Sequence, residues 1–211
     1  MFRLLFLIAL LQFHQPVFST EDTVSQAVAR YLTRIHKYME DEDWINAKRE
    51  LEVTARRYFK NEDSYERALI NQLYGQFYAL QRDYKNAIPW FEKAVAKGRL
   101  PFAADLQVSY SLAQCYFQTG RYKDVIETLE NYRDKASKRG QNMAPIQLML
   151  LGIAYYQEQD TLNAYLNIAE ANATATKLNE EWLQYEFALA VKLEKYDDAV
   201  RVGQFLIFVN P

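Results

Sequence analysis

The sequence predicts an all-α protein: a solenoid of about five antiparallel helix hairpins stacked along a continuous core. Three observations carry that prediction. Apolar residues recur at helical spacing on both sides of Arg82-Asp83, with Leu73, Tyr74, Phe77, Tyr78 and Leu80 before it and Ala87, Ile88, Phe91, Ala94 and Val95 after it. Gly75 is the only glycine among the bulky residues of the first run, and it has counterparts in Ala113, 38 residues on, and Gly152, 39 further. A small side chain there lets two helices cross closely, while Tyr78, Tyr84 and Phe91 fill the space beside the crossing. Lys97-Gly98 followed by Pro101, and Lys138-Arg139-Gly140 followed by Pro145, are helix stops with glycine just past the end and proline beyond. One hairpin cannot bury both its faces, so the recurrence implies stacking.

Taken from the amino terminus, residues 1–19 read as a secretory signal peptide. Arg3 precedes the apolar run Leu4 to Leu11, and Pro16-Val17-Phe18-Ser19 follows, a stretch too short to span a bilayer comfortably. Cleavage is expected after Ser19, and no cysteine lies near the cut to carry a lipid. Residues 20–211, roughly 190 in all, are expected to form one solenoid domain outside the cytoplasm, in the periplasm. No stretch is rich enough in glycine, serine or proline to be a linker.

The first hairpin places Tyr31, Ile35 and Tyr38 on a weaker first helix and Trp44, Ala47 and Leu51 on the second. Its turn carries the acidic run Glu40 to Asp43, in which Asp43 is positioned to cap the helix beginning at Trp44. A calcium loop would need a glycine and an alternating ligand spacing that this run lacks. Asp83 and Asp160 stand at the equivalent turns, and Asp22 and Asn179 are further candidate caps. In the second hairpin Pro89 removes one backbone hydrogen bond, which costs about 3 kcal/mol in a helix interior. It lies within two turns of the helix start, so a bend is expected rather than a break. The third hairpin has Ala113, Tyr116, Gly120, Tyr122, Ile126 and Leu129, and the fourth has Gly152, Tyr155, Ala164, Ile168 and Ala171. Trp182, Leu183, Tyr196 and Ala199 mark a fifth, with Pro211 beyond it.

The end of the fifth hairpin is anomalous. Phe205 to Val209 is an uninterrupted apolar run with no polar capping helix after it, whereas terminal repeats need a soluble outer face. Either the sequence is part of a longer protein, or that edge docks on another copy or on a partner. Self-association through the carboxyl-terminal edge is therefore among the expected interactions.

Composition narrows the function classes. The formal net charge is -2, and no basic face of the kind nucleic acid requires can be assembled; Lys135, Lys138 and Arg139 form only a solvated helix terminus. Cys115 is the only cysteine, which removes internal disulfides and multi-cysteine metal sites. Of the two histidines only His36 remains after the leader, too few for a histidine zinc site or a triad. No glycine-rich phosphate loop or nucleophile elbow is present. Asn172-Ala173-Thr174 is formally a glycosylation acceptor, but within a predicted helix. No enzyme, metal or cofactor is expected. The 16 tyrosines, each with an apolar ring and a polar tip, suit repeat interiors and recognition surfaces alike.

The hairpins resemble the tetratricopeptide repeat, whose small-residue and aromatic positions are met by Gly75, Tyr78, Tyr84, Ala87, Phe91 and Ala94. The spacing exceeds the standard repeat of about 34 residues, so longer helices or loops are expected. The resemblance implies a right-handed stack whose inner face is built from the first helix of each hairpin. Its exposed positions would be Gln72, Gln76 and Ala79, then Tyr110, Gln114 and Phe117, then Met149, Ile153 and Tyr156. Amides can bond an extended peptide backbone in either polarity, and aromatic rings stack on prolines or apolar side chains. The lysines and asparagines with which such repeats grip acidic tails are missing from these positions.

A narrower resemblance joins the leader, Tyr65-Glu66-Arg67-Ala68, Lys97-Gly98-Arg99-Leu100-Pro101 and the Trp182 region. Together these look like the periplasmic tetratricopeptide proteins encoded with TonB, ExbB and ExbD. That resemblance implies a non-enzymatic scaffold accessory to TonB-dependent outer-membrane transport, binding an envelope protein or an extended peptide segment. An accessory to outer-membrane or cell-wall assembly is the alternative.

Overall fold

The computed structural model describes residues 26–58 and 63–209. The expected leader, the Asp22 cap and Pro211 lie outside the described residues. Ten helices follow one another among the described residues: α1 Gln26–Glu40, α2 Trp44–Tyr58, α3 Tyr65–Leu80, α4 Tyr84–Val95, α5 Phe102–Gln118, α6 Tyr122–Ser137, α7 Pro145–Gln157, α8 Thr161–Thr174, α9 Glu180–Lys192 and α10 Tyr196–Val209. Each packs chiefly on its neighbours in the chain, so the odd and even helices pair into five hairpins that stack in sequence order. That is the all-α solenoid the sequence predicts. The helix through Pro89 runs unbroken from Tyr84 to Val95, and Pro89 itself is exposed, away from the packed face.

The same turn closes all five hairpins. A residue in the left-handed region stands at Glu42, Arg82, Gly120, Gln159 and Glu194, with φ between 54° and 74°. The N–H of the following residue reaches back five places: Asp43 to the Tyr38 carbonyl, Asp83 to Tyr78, Arg121 to Tyr116, Asp160 to Tyr155 and Lys195 to Ala190. The left-handed residue itself donates to Met39, Ala79, Phe117, Tyr156 and Val191 in turn. This pair of bonds satisfies carbonyls that the helix end would otherwise leave open. At three of the turns an aspartate then caps the second helix. Asp43, Asp83 and Asp160 each accept the backbone N–H and the side-chain amide of the asparagine three residues on, namely Asn46, Asn86 and Asn163. Asn179 caps α9 in the same way, through the N–H of Trp182.

Two apolar clusters form the core. One joins α1, α2 and α3 around Ile35, Leu51, Ile70 and Leu73; the larger runs from Ala68 to Ala199. Within each hairpin, one residue seven places before the left-handed position faces one nine places after it. The pairs are Ile35 and Leu51, Gly75 and Phe91, Ala113 and Leu129, and Gly152 and Ile168, all buried. A Cβ built on Gly75 would stand 2.5 Å from the Phe91 ring, and one on Gly152 would stand 2.6 Å from Ile168 Cγ1. Both glycines are therefore required by contact, since something must shift before any side chain could be accommodated. In the fifth hairpin the sizes are exchanged, with Phe187 on the first helix and Gly203 on the second.

Tyrosines tie successive hairpins together. Tyr116 Oη donates to Glu92 at 2.6 Å, Tyr155 Oη to Glu130 at 2.9 Å and Tyr165 Oη to Asp198 at 2.7 Å. Burial, then the carboxylate that accepts each hydroxyl, pushes Tyr155 and Tyr165 up to about 12.

Candidate functional site

The positions expected to line the inner face fall into three rows along the first helices, because each lies a fixed distance before a turn of constant geometry. Ten residues before the turn stand Gln72, Tyr110 and Met149; six before it, Gln76, Gln114 and Ile153; three before it, Ala79, Phe117 and Tyr156. Gln72, Tyr110, Gln114, Phe117 and Ala79 are half-buried, and Tyr156 is 43% exposed. These residues retain surface from which to meet another chain.

Three expected groove residues sit deeper. Met149 and Ile153 are only 1% and 3% exposed and belong to the larger apolar cluster. The reason lies in α7 itself: Leu148, Met149, Leu150, Leu151, Gly152, Ile153 and Ala154 are all buried, so the helix is apolar around its circumference and enclosed by its neighbours. The two therefore serve packing, and the recognition surface loses them. Gln76 is also buried, at 5% exposure.

The amides in this region are incompletely used. The Oε1 atoms of Gln72 and Gln76 and Oδ1 of Asn71 are buried and accept no hydrogen bond within the protein. A buried carbonyl oxygen without a donor costs about 1–3 kcal/mol, so such a group favours a state in which a donor reaches it. On α5, burial, then the neighbouring Tyr132, pushes the Tyr110 hydroxyl up to about 12. Its hydroxyl is therefore a neutral donor at physiological pH. Further along, Phe117 meets Tyr122 edge-on and Tyr156 meets Tyr185 edge-on at a centroid distance of 6.5 Å. The face thus changes character along the stack, from amides on α3 and α5 to aromatic rings on α5, α7 and α9.

Sequence reasoning missed one member of the row. His36 stands six residues before Glu42, in register with Gln76 and Gln114, and burial lowers its pKa against the pull of Glu40. A lone histidine suggested only the absence of catalytic chemistry; its place in the row becomes visible once Glu42 is known to be a turn residue. Two other candidates resolve as structural. Cys115 is buried, and burial pushes its thiol up to about 12, which leaves it protonated and unreactive. Asn172 is half-buried with its amide donating to the Trp182 carbonyl and to Glu186, so it is committed to the α8–α9 junction rather than presented for glycosylation. Glu186, 1% exposed, also binds Arg201 at 2.8 Å, so its buried charge is paired.

Among the described residues no group of three or more histidine, cysteine, aspartate or glutamate side chains could hold a metal ion, and no helix is long and apolar enough to cross a membrane.

Comparison with known proteins returns the same architecture. The family model described as anaphase-promoting complex, cyclosome, subunit 3 matches residues 80–141. No curated protein matches the sequence. Among solved structures, MamA (residues 41 to end) from Desulfovibrio magneticus RS-1 superposes with a TM-score of 0.67 at 16% identity, covering 88% of this chain and 96% of that one. A tetratricopeptide repeat protein from Parabacteroides merdae ATCC 43184 gives 0.64 at 15% identity over 87% of this chain and 66% of its own. PilW, a widely conserved type IV pilus biogenesis factor, gives 0.52 at 16% identity over 87% and 93%. The turn geometry, the hairpin pairs and these likenesses converge on one conclusion: the chain is an all-α solenoid of the tetratricopeptide-repeat type.

Proposed function

We propose that the protein is a non-enzymatic interaction scaffold whose inner face holds an extended segment of an envelope protein. The observation that carries the reading is the half-buried Gln72, whose amide oxygen accepts no hydrogen bond within the protein, in register with the half-buried Tyr110, Gln114 and Phe117 and the exposed Tyr156. An extended peptide offers backbone N–H groups to the amides and side chains to the rings. The residues that would bind are Gln72, Tyr110, Gln114, Phe117 and Tyr156; Gln76, expected among them, lies buried beneath the surface.

The most specific form of the reading is an accessory to TonB-dependent outer-membrane transport, working in the periplasm. That form rests on the sequence resemblance at Tyr65 to Ala68, Lys97 to Pro101 and Trp182, together with the leader. A second reading, an accessory to outer-membrane or cell-wall assembly, takes its support from the likeness in fold to PilW, a pilus biogenesis factor.

Affinity capture from envelope extracts tests both. Recovery of a TonB-system component supports the first, recovery of assembly machinery supports the second, and recovery of neither overturns the envelope role. Gln72→Ala, Gln114→Ala and Tyr156→Ala combined are expected to weaken capture at least tenfold while circular dichroism stays unchanged. Undiminished capture would remove the inner face from the proposal.

A further inference from the structure

Between the second and third hairpins the second helices part around a cavity of about 450 Å³. Three positions converge at each junction between hairpins: thirteen residues after one left-handed turn residue, then eight before and eight after the next. At the first junction these are Ala55, Tyr74 and Trp90, and the two rings stack at a centroid distance of 4.3 Å. At the third they are Arg133, Leu151 and Asn167, with Arg133 donating to Asn167 across from α6 to α8. At the fourth they are Asn172, Glu186 and Val202, with Glu186 accepting from Asn172 at 2.9 Å and from the neighbouring Arg201 at 2.8 Å. The second junction has Val95, Leu112 and Thr128, short side chains that make no such bridge, and all three line the cavity. α4 also stops at Val95 after 12 residues while α6 runs for 16, which leaves the last turn of α6 without a counterpart.

The cavity is furnished with acceptors. Its floor is one face of α5, where Asp105, Ser109, Leu112 and Tyr116 follow at helical spacing, on the other side of that helix from Tyr110, Gln114 and Phe117. Ser109 lines the floor at 6% exposure, and its hydroxyl has no hydrogen-bond partner among the described residues. Asp105, equally buried, accepts Lys135 Nζ on Oδ2 at 2.7 Å, while its Oδ1 accepts nothing. At the opposite end Glu92 accepts the Tyr116 hydroxyl at 2.6 Å, and Arg121 lies 2.7 Å from Asp124 and 3.9 Å from Glu92. Glu127, one turn on from Asp124, adds a third carboxylate on the exposed rim. With Asp105 and Lys135 cancelling, Glu92, Asp124 and Glu127 against the single Arg121 leave the walls anionic. The carbonyl end of α4, at Val95 and Ala96, adds the negative pole of the helix dipole.

We propose that this cavity binds a primary alkylammonium group, carried by a free aliphatic amine or by a lysine side chain of another protein. The ammonium brings three donors to oxygens that lack them, and its charge offsets the surplus of carboxylates. Its methylene stem lies along Val95 and Leu112, as such stems do on apolar surface. An anion would be repelled by the walls, and an apolar ligand would leave Ser109 and Asp105 without donors.

Isothermal titration of the whole protein with 1,5-diaminopentane and with Nα-acetyl-lysine methylamide tests the proposal. One molecule is expected to bind per chain, with a Kd of about 1 mM or below. Saturation by the diamine alone points to a free amine and saturation by the lysine derivative to a side chain; either supports the site. Leu112→Tyr with Thr128→Trp copies the stacked pair of the first junction into the cavity and should abolish binding with helix content unchanged. Glu127→Gln, at an exposed position, should weaken binding about fivefold, whereas the exposed Glu181→Gln on α9 should leave it unchanged. If the filled variant loses helix content, the two glutamine variants decide alone. No saturation by either probe up to about 10 mM would overturn the proposal. So would binding that persists in a folded Leu112→Tyr, Thr128→Trp variant, or binding that the two glutamine variants weaken equally, since a diffuse negative surface would then account for it.

Discussion

The second and fifth hairpins solve the same packing problem with opposite assignments of bulk. In α3/α4 the first helix contributes Gly75 and the second contributes Phe91, whose ring fills the glycine's place and is 1% exposed. In α9/α10 the first helix contributes Phe187 and the second Gly203, and the aromatic ring is left 38% exposed at the end of the stack. The combined size at the crossing is similar, yet the consequences differ. Bulk on the second helix sinks into the hairpin and presents a filled surface to the next one. Bulk on the first helix leaves the second shallow at its glycine. Complementarity within a hairpin is thus a constraint on the pair, while the choice of which helix carries the large residue decides what the hairpin offers its surroundings.

The same substitution made at three glycines would break or sharpen this comparison. Gly75→Ala is expected to have the largest effect, a loss of about 1–2 kcal/mol, because overpacking of about 3 kcal/mol against the enclosed Phe91 ring outweighs the gain of about 1 kcal/mol in helix propensity. Gly152→Ala should lose slightly less, since Ile168 can adjust its χ angles, although the Ala164 carbonyl at 3.2 Å limits the relief. Urea melts give both values directly. Adding Phe91→Leu to Gly75→Ala recreates the pair of the third hairpin, Ala113 with Leu129, and should recover most of the lost midpoint. A double variant no more stable than Gly75→Ala alone would refute the pairwise account.

The tyrosine bonds between hairpins predict the next effect in size. Tyr155→Phe should cost about 1 kcal/mol, because Glu130 keeps Arg133 as a partner after the hydroxyl is gone. The pH dependence has a definite sign. Tyr155 and Tyr165 hold their protons up to about 12 in the folded protein and release them near 10 in the unfolded chain. The unfolded state therefore binds fewer protons between those values, so this contribution is complete below pH 10 and is lost as pH rises toward 12. Melts over that range should show a shallower fall for Tyr155→Phe than for the wild type. The smallest effect belongs to Gly203→Ala, where the new methyl meets Phe187 at an ordinary 3.6 Å. It should stabilise by about 0.5–1 kcal/mol through helix propensity alone, opposite in sign to the other two glycines.

Much of this fold is written in the sequence at particular residues. Gly75, Ala113 and Gly152 give the register, because a close crossing admits few side chains, and Asp43, Asp83 and Asp160 give the turns, because a cap needs an acceptor at one place. The turns at Glu42, Arg82, Gln159 and Glu194 were harder to read. Their left-handed backbone is imposed by hydrogen bonds from the helix end, and none of the four carries the glycine that would advertise it. The exchange of Phe187 and Gly203 is likewise hidden, since the repeat pattern puts the small residue on the first helix. Within the candidate site, the place of Gln72, Gln114 and Tyr156 in the rows of the first helices was legible from spacing. The burial of Met149 and Ile153 was not, because spacing places a residue on a helix face without saying how closely the neighbouring helices enclose it.

The uniform turn has a consequence for how the molecule can change. Since the loop between paired helices is held by main-chain contacts, and charged, amide and glycine residues all occupy its central position, no hairpin depends on a private connector. A duplicated block such as residues 102–140, spliced in after Gly140, would bring its own closure and encounter familiar surfaces before and behind it. The array can thus be lengthened or shortened by whole units, with its existing joints left as they are.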